Sequence, residues 1–453
     1  MALSDIITYK RALIAKKQAE ILGYRDHLKK ATRSLERAIR ENRRAFICEI
    51  KRASPSMGLI RNDIDVMEVA QIYGPFASAI SVLADEKFFQ GSLEFVRQVS
   101  LSQECPILCK DVVVSPWQIY EARHYGADAV LLMLSVLSDA EYLECRSIAS
   151  SLNMDHISEV HTKKEMERAC ALKASIIGIN NRDLKSLAVD LDTAHKLLPM
   201  VPDHALVIVE SGIYKRADIQ GFDERVDGFL IGTSLMRSPR IDLALRELMF
   251  GRVKICGLTN NEDAWAAYRA GGYYGGLNFS RSSKRFISSK EAQVIKDGVP
   301  LVFGGIFVDQ SQQEIVDIVH HLELDFVQLH GHEDDDFIMS LRAKIKIPCE
   351  IWKAIKVTDE IEVPPISSAD RILLDSFHQG QFGGTGRSFD WQKLAHDENR
   401  HQYIVAGGIN VNNVQRLSEL LPFAIDIASG AEDSDPRKKS LSKLNEIFSK
   451  LRP

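Results

Sequence analysis

Two successive sets of eight short apolar runs constrain this chain more than any other feature. The first set is AFICEIK (45–51), SAISVLAD (78–85), PILCKDV (106–112), AVLLMLS (129–135), HISEV (156–160), IIGINNRD (176–183), ALVIVESG (205–212) and GFLIGTSLM (228–236). Each is short, without strict polar–apolar alternation, and followed by a mixed-polarity segment with helical character. That is the pattern of strands buried on both faces of a parallel sheet. Eight such units in a row predict a closed α/β barrel of the (β/α)8 type. The second set is VKICGL (253–258), YYGGLNF (273–279), LVFGGIFV (301–308), FVQLHG (326–331), EIWKAI (350–355), RILLDSF (371–377), YIVAGGIN (403–410) and AIDIASGAE (424–432). It predicts a second barrel. A doubly wound open sheet is the alternative, but no strand-linked GxGxxG supports a dinucleotide fold.

The junction is short. The segment IDLALRELMF (241–250) reads as the helix that closes the first barrel, and Gly251 suits the C′ position where φ is often positive. The next strand follows almost at once. The expected domains are therefore residues 1–251 and 252–453, fused without a flexible linker. Residues before Ala45 fall outside the eightfold count. They read as a helical extension covering either the mouth or the base of the first barrel.

Composition removes several function classes. A net charge of −5, with basic runs flanked by acids, gives no reason to expect a nucleic-acid partner. No apolar run approaches the ~20 residues of a membrane span. The opening MALSDIITYKRALIAKKQAE carries Asp5 and lacks a continuous apolar core, so it reads as an amphipathic helix rather than a signal peptide. Seven scattered cysteines imply reduced thiols in a cytoplasm. The histidines show no metal spacing, and His330-Gly331-His332 reads as a turn. No metal or cofactor is expected.

In such barrels reactive groups sit at the C-terminal ends of the strands. The first set places Glu49, Lys51, Lys110, Asp111, Glu159, Asn180, Arg182, Glu210 and Ser211 there. Like charges converging on one mouth shift each other's pKa values and can supply acids and bases near neutrality. The glycine turns VESGI (209–213) and LIGTSL (230–235) follow strands seven and eight, where phosphate commonly binds. The second set offers Cys256 after strand one, Arg285 after strand two, Asp375 after strand six, and the turns of YIVAGGIN and DIASGAE (426–432). A cysteine there serves as a thiolate base only if its pKa falls below about 8.5. An aspartic acid kept protonated in an apolar site can be the acid.

These residues carry a resemblance to two families. AFICEIKRASPSMG (45–58), PILCKD (106–111), SEV (158–160), GINNRDL (178–184), VESGI and IGTSLM (231–236) resemble indole-3-glycerol-phosphate synthase. VKICGL, VQLHGHE (327–333), LLDSFHQGQFGGTGRSFDW (373–391), VAGGI (405–409) and ASGAE (428–432) resemble phosphoribosylanthranilate isomerase. Together they cover nearly the whole chain, in the order of the fused bifunctional enzymes of tryptophan biosynthesis. For the second barrel the resemblance implies an Amadori rearrangement with Cys256 as base, Asp375 as acid, Arg285 on the anthranilate carboxylate and His330 at the substrate. Phosphate would lie on Gly407, Gly408, Ser429 and Gly430. For the first barrel it implies ring closure with loss of CO2 and water. Lys110 would be the acid and Glu159 its partner, with Lys51 and Glu49 nearby. Asn180, Arg182 and Glu210 would hold substrate. Ser54, Ser211, Gly212, Gly232 and Thr233 would bind phosphate. Which lysine serves which oxygen is left open. The implied partners are small phosphorylated substrates, with no nucleic acid or membrane, and the chain is expected to act as a monomer in the cytoplasm.

Three positions depart from the family pattern. DHIS (155–158) is more polar than expected for a strand, Met57 replaces a frequent lysine, and the loop RSSKR (281–285) is unusually basic. The main rival reading is that one barrel is a catalytically inactive sugar-phosphate-binding or structural partner. The retention of both Lys110 and Cys256 disfavours it. A histidine-pathway sugar-phosphate isomerase is disfavoured too, because that chemistry calls for two aspartates.

Overall fold

The computed structural model describes residues 3–54, 57–62, 64–183, 186–357, 368–376 and 390–453. The chain divides into two compact units, Met1–Leu245 and Arg246–Pro453.

The first unit is a closed barrel of eight parallel strands in sequence order. They are Ala45–Ile50, Ala79–Leu83, Ile107–Lys110, Ala129–Met133, Asp155–Val160, Ile176–Asn180, Leu206–Glu210 and Gly228–Ile231. Closure is made by the first strand, which pairs with the second through Ile47↔Ala79 and with the eighth through Ala45↔Gly228. The polar DHIS stretch lies within the fifth strand. Its buried polar groups are answered locally, because the Tyr142 hydroxyl sits 2.8 Å from Ser158 Oγ and 3.2 Å from His156 Nε2. Burial pushes the His156 imidazole down to about 4. A buried polar strand residue is tolerated when it finds such a partner.

The extension before Ala45 covers both ends of this barrel. The helix Leu3–Arg25 buries Ile6, Lys10, Ile14 and Ile21 along one stripe. A lysine in that stripe is explained by its partners: Lys10 Nζ lies 2.9 Å from Asp85 Oδ2 and 2.6 Å from Asp111 Oδ1. Burial alone would lower the Lys10 pKa, but these carboxylates overcome it and hold the ammonium well above its usual range. Asp85 and Asp111 follow the second and third strands, so the helix is clasped to the mouth. The short helix Leu35–Arg40 closes the base. Its N-cap Ser34 and the Glu36 N–H both donate to Asp155 Oδ2, at the start of the fifth strand, and Leu35 and Ile39 enter the barrel core.

The second unit repeats the closed eightfold barrel. Its strands are Val253–Cys256, Tyr274–Asn278, Val302–Phe307, Phe326–Leu329, Glu350–Val357, Arg371–Ser376, Tyr403–Val405 and Ala424–Ile427. Phe326 stacks on Trp352 with ring centroids 3.7 Å apart, and Tyr274 meets both edge-on. The helix Ile241–Phe250 ends at Gly251, whose φ of +77° is the left-handed conformation expected at a helix C′. Within this unit the Arg246 guanidinium lies 3.7 Å from the Tyr268 ring centroid and Phe250 packs edge-on against Phe448.

Replacing Lys10 by alanine leaves two carboxylates buried against each other. Lys10→Ala is expected to destabilise the first unit by about 3–5 kcal/mol and to weaken synthase activity. Urea unfolding at neutral pH checks the first effect. An unchanged midpoint would show that the clasp contributes nothing.

Candidate active sites

The strand pleat brings the charged ends of the first-barrel runs to one mouth. Glu49 lies in the first strand, Lys110 ends the third, and Glu210 ends the seventh. Lys110 Nζ sits 2.8 Å from Glu210 Oε2 and 3.2 Å from Glu49 Oε2. Lys51 Nζ lies 2.6 Å from Glu49 Oε1. Burial would raise the Glu49 pKa, yet the two ammonium groups overcome it and hold the carboxyl down at about 2. Glu210 goes the other way. Burial and the nearby Glu159 charge outweigh Lys110 and push it up to about 7. Lys110 itself is held above its usual range, because Glu210, Glu49 and Glu159 overcome the cost of burying the ammonium. Adjacent carboxyl groups with pKa values driven apart are the signature of divided acid–base roles.

Glu159 is buried, and its Oε1 is 3.3 Å from His161 Nε2. His161 Nδ1 is 3.4 Å from Glu165 Oε2. These carboxylates outweigh burial and raise the imidazole pKa.

Glu49, Lys51, Lys110 and Glu159 face one cavity of about 170 Å3, and Glu210, His161 and Glu165 stand behind them. Glu49, Lys51, Ser54, Lys110, Glu159, Asn180, Arg182, Ser211, Gly212, Gly232 and Thr233 line it. Apolar walls come from Leu83, Val112, Leu131, Met133 and Leu230, and from Leu3 and Ile6 of the N-terminal helix. Glu210 is reached through Lys110. Arg182 is held by its backbone N–H donating to Asn180 Oδ1 at 3.0 Å and by Nη1 donating to the Leu187 carbonyl at 3.0 Å. The two glycine turns at this mouth differ in backbone conformation. Ser211 and Gly212 both have positive φ, +65° and +86°, and Gly232 precedes the short helix Thr233–Met236. Met57 is exposed beside the hairpin pairing Ala53–Ser54 with Gly58–Leu59.

In the second barrel Cys256 ends the first strand and Asp375 lies near the end of the sixth. Both are on the same rim, since the strands are parallel. A chain of contacts crosses the mouth between them. Lys254 Nζ lies 3.4 Å from Cys256 Sγ, 2.8 Å from Asp426 Oδ2 and 2.7 Å from Gln328 Oε1. Gln328 Nε2 is 2.9 Å from His330 Nδ1, and His330 Nε2 is 3.3 Å from Asp375 Oδ2. His332 instead turns onto Asp309 at 3.0 Å, so the two histidines of the turn do not converge. Among the described residues no group of three or more His, Cys, Asp or Glu could hold a metal ion.

Two features of this mouth bear on the expected roles. The condition attached to Cys256 is not met, because burial pushes its thiol pKa up despite Lys254, Lys439 and Arg285. Arg285 is already engaged by a carboxylate. Its Nε and Nη2 meet Glu432 at 2.5 and 2.8 Å, and Lys439 Nζ meets the same carboxylate at 3.0 Å. Gly407 and Gly408 have φ of +87° and +64°. Ser429 and Gly430 lie in a 3-10 turn, and a Cβ on Gly430 would collide with the Ile409 carbonyl. The glycine-rich stretch GQFGGTG (380–386) lies outside the described residues.

Lys254, Gln328, Asp426, Glu432 and His161 were not anticipated. The available signal was a polar residue inside or just beyond an apolar run, as in VKIC and AIDI.

Against this geometry, the indole-3-glycerol phosphate synthase family matches residues 3–248 and the N-(5'-phosphoribosyl)anthranilate isomerase family matches residues 253–450. The tryptophan biosynthesis protein TrpCF of Vibrio cholerae is 42% identical over 452 residues, covering 99% of this chain and 96% of that one. The chain belongs to this bifunctional family. TrpCF of Vibrio parahaemolyticus is 42% identical, covering 99% of this chain and 94% of that one. TrpCF of Yersinia pestis is 39% identical with the same two coverages. The first barrel is thus a synthase domain, a lyase, and the second an isomerase domain, joined in one multifunctional enzyme of tryptophan biosynthesis. No helix among the described residues is long and apolar enough to cross a membrane.

Glu49 is held ionised by buried partners, so Glu49→Gln is expected to destabilise the first unit by about 3 kcal/mol at pH 7. A folded pKa depressed below the unfolded value gives stability that is present above about 4.5 and lost as pH falls through about 2. The gap between wild type and Glu49→Gln in urea should therefore close over that window. A gap constant from pH 7 to pH 2 would refute the pairing.

Proposed function

We propose that the two barrels run consecutive steps, each with its own acid and base. In the isomerase barrel Asp375 protonates the ribose ring oxygen of N-(5-phosphoribosyl)anthranilate. The C1′–O bond breaks and an iminium forms. The Cys256 thiolate then takes the C2′ proton, and the enolamine becomes the ketone of 1-(2-carboxyphenylamino)-1-deoxyribulose 5-phosphate. Acid and base must flank the sugar, and residues on strands one and six meet that need. The single observation supporting this reading is the side-chain chain Lys254–Gln328–His330, which runs from Cys256 to Asp375 across one mouth. Gly407, Gly408, Ser429 and Gly430 hold the phosphate. Arg285, shared with Glu432, faces the anthranilate carboxylate.

In the synthase barrel Lys110 protonates the ketone oxygen as the aromatic carbon attacks C2′. CO2 leaves the ring, Glu159 removes a proton, and water departs beside Glu210. Lys110 suits the first step because its carboxylate neighbours keep the ammonium charged until the ketone oxygen becomes basic. Lys51 and Glu49 orient it. Asn180 and Arg182 hold the substrate carboxylate and aniline nitrogen. Ser54, Ser211, Gly212, Gly232 and Thr233 hold the phosphate. Apolar walls favour loss of the charged carboxylate. The functional division falls between residues 251 and 252. The chain acts as a cytoplasmic monomer, a reading in keeping with cysteines that are all free and testable by light scattering.

Cys256→Ala should abolish isomerase turnover while sparing the synthase, and Lys110→Ala should do the reverse. Supplying each intermediate separately to the intact chain reads both. Loss of both activities in each folded variant would sink the two-site reading.

A buried thiol with a raised pKa becomes thiolate only as pH climbs past it. Isomerase kcat/KM should therefore increase with pH beyond the ordinary thiol value of about 8.5. A profile already flat at pH 7 would argue against Cys256 acting from this environment.

A further inference from the structure

The link between Lys254 and Asp375 has a direction that its chemistry dictates. An ammonium group only donates hydrogen bonds. Lys254 Nζ lies 2.7 Å from the Gln328 amide and 2.8 Å from Asp426, and Lys254 is fully buried. The amide must therefore turn its oxygen to the lysine, which points its NH2 at His330 Nδ1, 2.9 Å away. An amide orientation is ordinarily ambiguous; here the buried cation removes the ambiguity. Nδ1 must then accept. The neutral ring carries its proton on Nε2, which stands 3.3 Å from Asp375 Oδ2.

The geometry points to His330 as a positioning residue for the isomerase acid, its tautomer set by Lys254 through Gln328. This rests on the reading of Asp375 as that acid. With Oδ2 facing Nε2 at 3.3 Å, the carboxyl proton of Asp375 resides on Oδ1, which hands it to the ring oxygen. When it leaves, the carboxylate gains negative charge and the Nε2–H···Oδ2 contact tightens into a charge-assisted hydrogen bond. The interaction is worth more in the transition state than in the ground state, so it acts on kcat rather than on binding. The same lysine adjoins Cys256, and one buried cation thereby orients the acid side of the site while facing the base.

The test uses the intact chain labelled with 15N-histidine. Two-bond 1H–15N spectra distinguish a proton on Nε2 from one on Nδ1, and the His330→Gln variant assigns the signal among the 13 histidines. Wild type is expected to show the Nε2–H form. In Gln328→Glu a carboxylate faces Nδ1 and accepts from it, so Nδ1 should become protonated. Isomerase kcat should then fall by about 100-fold, the usual scale for general acid catalysis, with KM little changed. His330→Leu should lose about as much, and His330→Gln should recover most of that loss, because its amide offers an acceptor and a donor in place of the two ring nitrogens.

A wild-type ring protonated on Nδ1 would overturn the proposal. So would a rise in KM at constant kcat in His330→Leu, which would make the ring a substrate contact. Asp375→Asn separates the two layers. If that variant keeps its isomerase activity, the acid assignment itself is wrong. If it is inactive while His330→Leu turns over normally, only the positioning role falls.

Discussion

Lysine ammonium groups buried in barrel mouths organise both halves of this protein. Moving an ammonium group out of water costs several kcal/mol unless carboxylates and hydrogen-bond acceptors surround it. Lys110 meets that requirement with Glu49 and Glu210, and Lys254 meets it with Asp426 and Gln328. Once the cation is in place, the orientation and charge of its neighbours are largely decided. In the first barrel it helps hold Glu49 ionised, while Glu210 is left poised near neutrality. In the second it turns an amide, and the amide turns a ring.

One scaffold therefore supports two chemistries by changing what surrounds the cation. The synthase mouth is rich in carboxylates and walled by aliphatic side chains, an environment suited to proton transfer around a ring closure and to decarboxylation. The isomerase mouth has a thiol and a carboxyl group on different strands, with a buried ammonium, an amide and an imidazole between them. Its second cationic cluster is partly neutralised, since the one carboxylate of Glu432 is shared by Arg285 and Lys439. Under the proposed role of Arg285, the substrate carboxylate meets a guanidinium that already has an internal counter-ion, and binding there is an exchange of partners.

The architecture was legible from the chain because it depends on local pattern. Every one of the sixteen apolar runs falls on a barrel strand, although Asp155–Val160 and Glu350–Val357 extend beyond HISEV and EIWKAI; in the former, His156 and Ser158 meet Tyr142. The groups at the strand ends were legible for the same reason: Glu49, Lys110 and Glu210 stand out where an apolar run stops. Lys254, Gln328 and Asp426 did not, because a polar residue within a run looks like an interruption until its partner is known. Glu432 was beyond reach, as its partner Arg285 is 147 residues away. Whether the N-terminal extension covered mouth or base could not be decided from periodicity. Lys10 finding Asp85 and Asp111, and Ser34 finding Asp155, decide it by tertiary contact.

Leu3 and Ile6 complete a wall of the synthase cavity without belonging to the barrel. The helix that carries them is fastened by Lys10, several residues away. Lys10 anchors the helix without lining the cavity, Leu3 lines it without belonging to the buried stripe, and Ile6 does both. Natural drift at Leu3 can resize this space while strand register and anchoring stay as they are, so this part of the wall can evolve separately from folding.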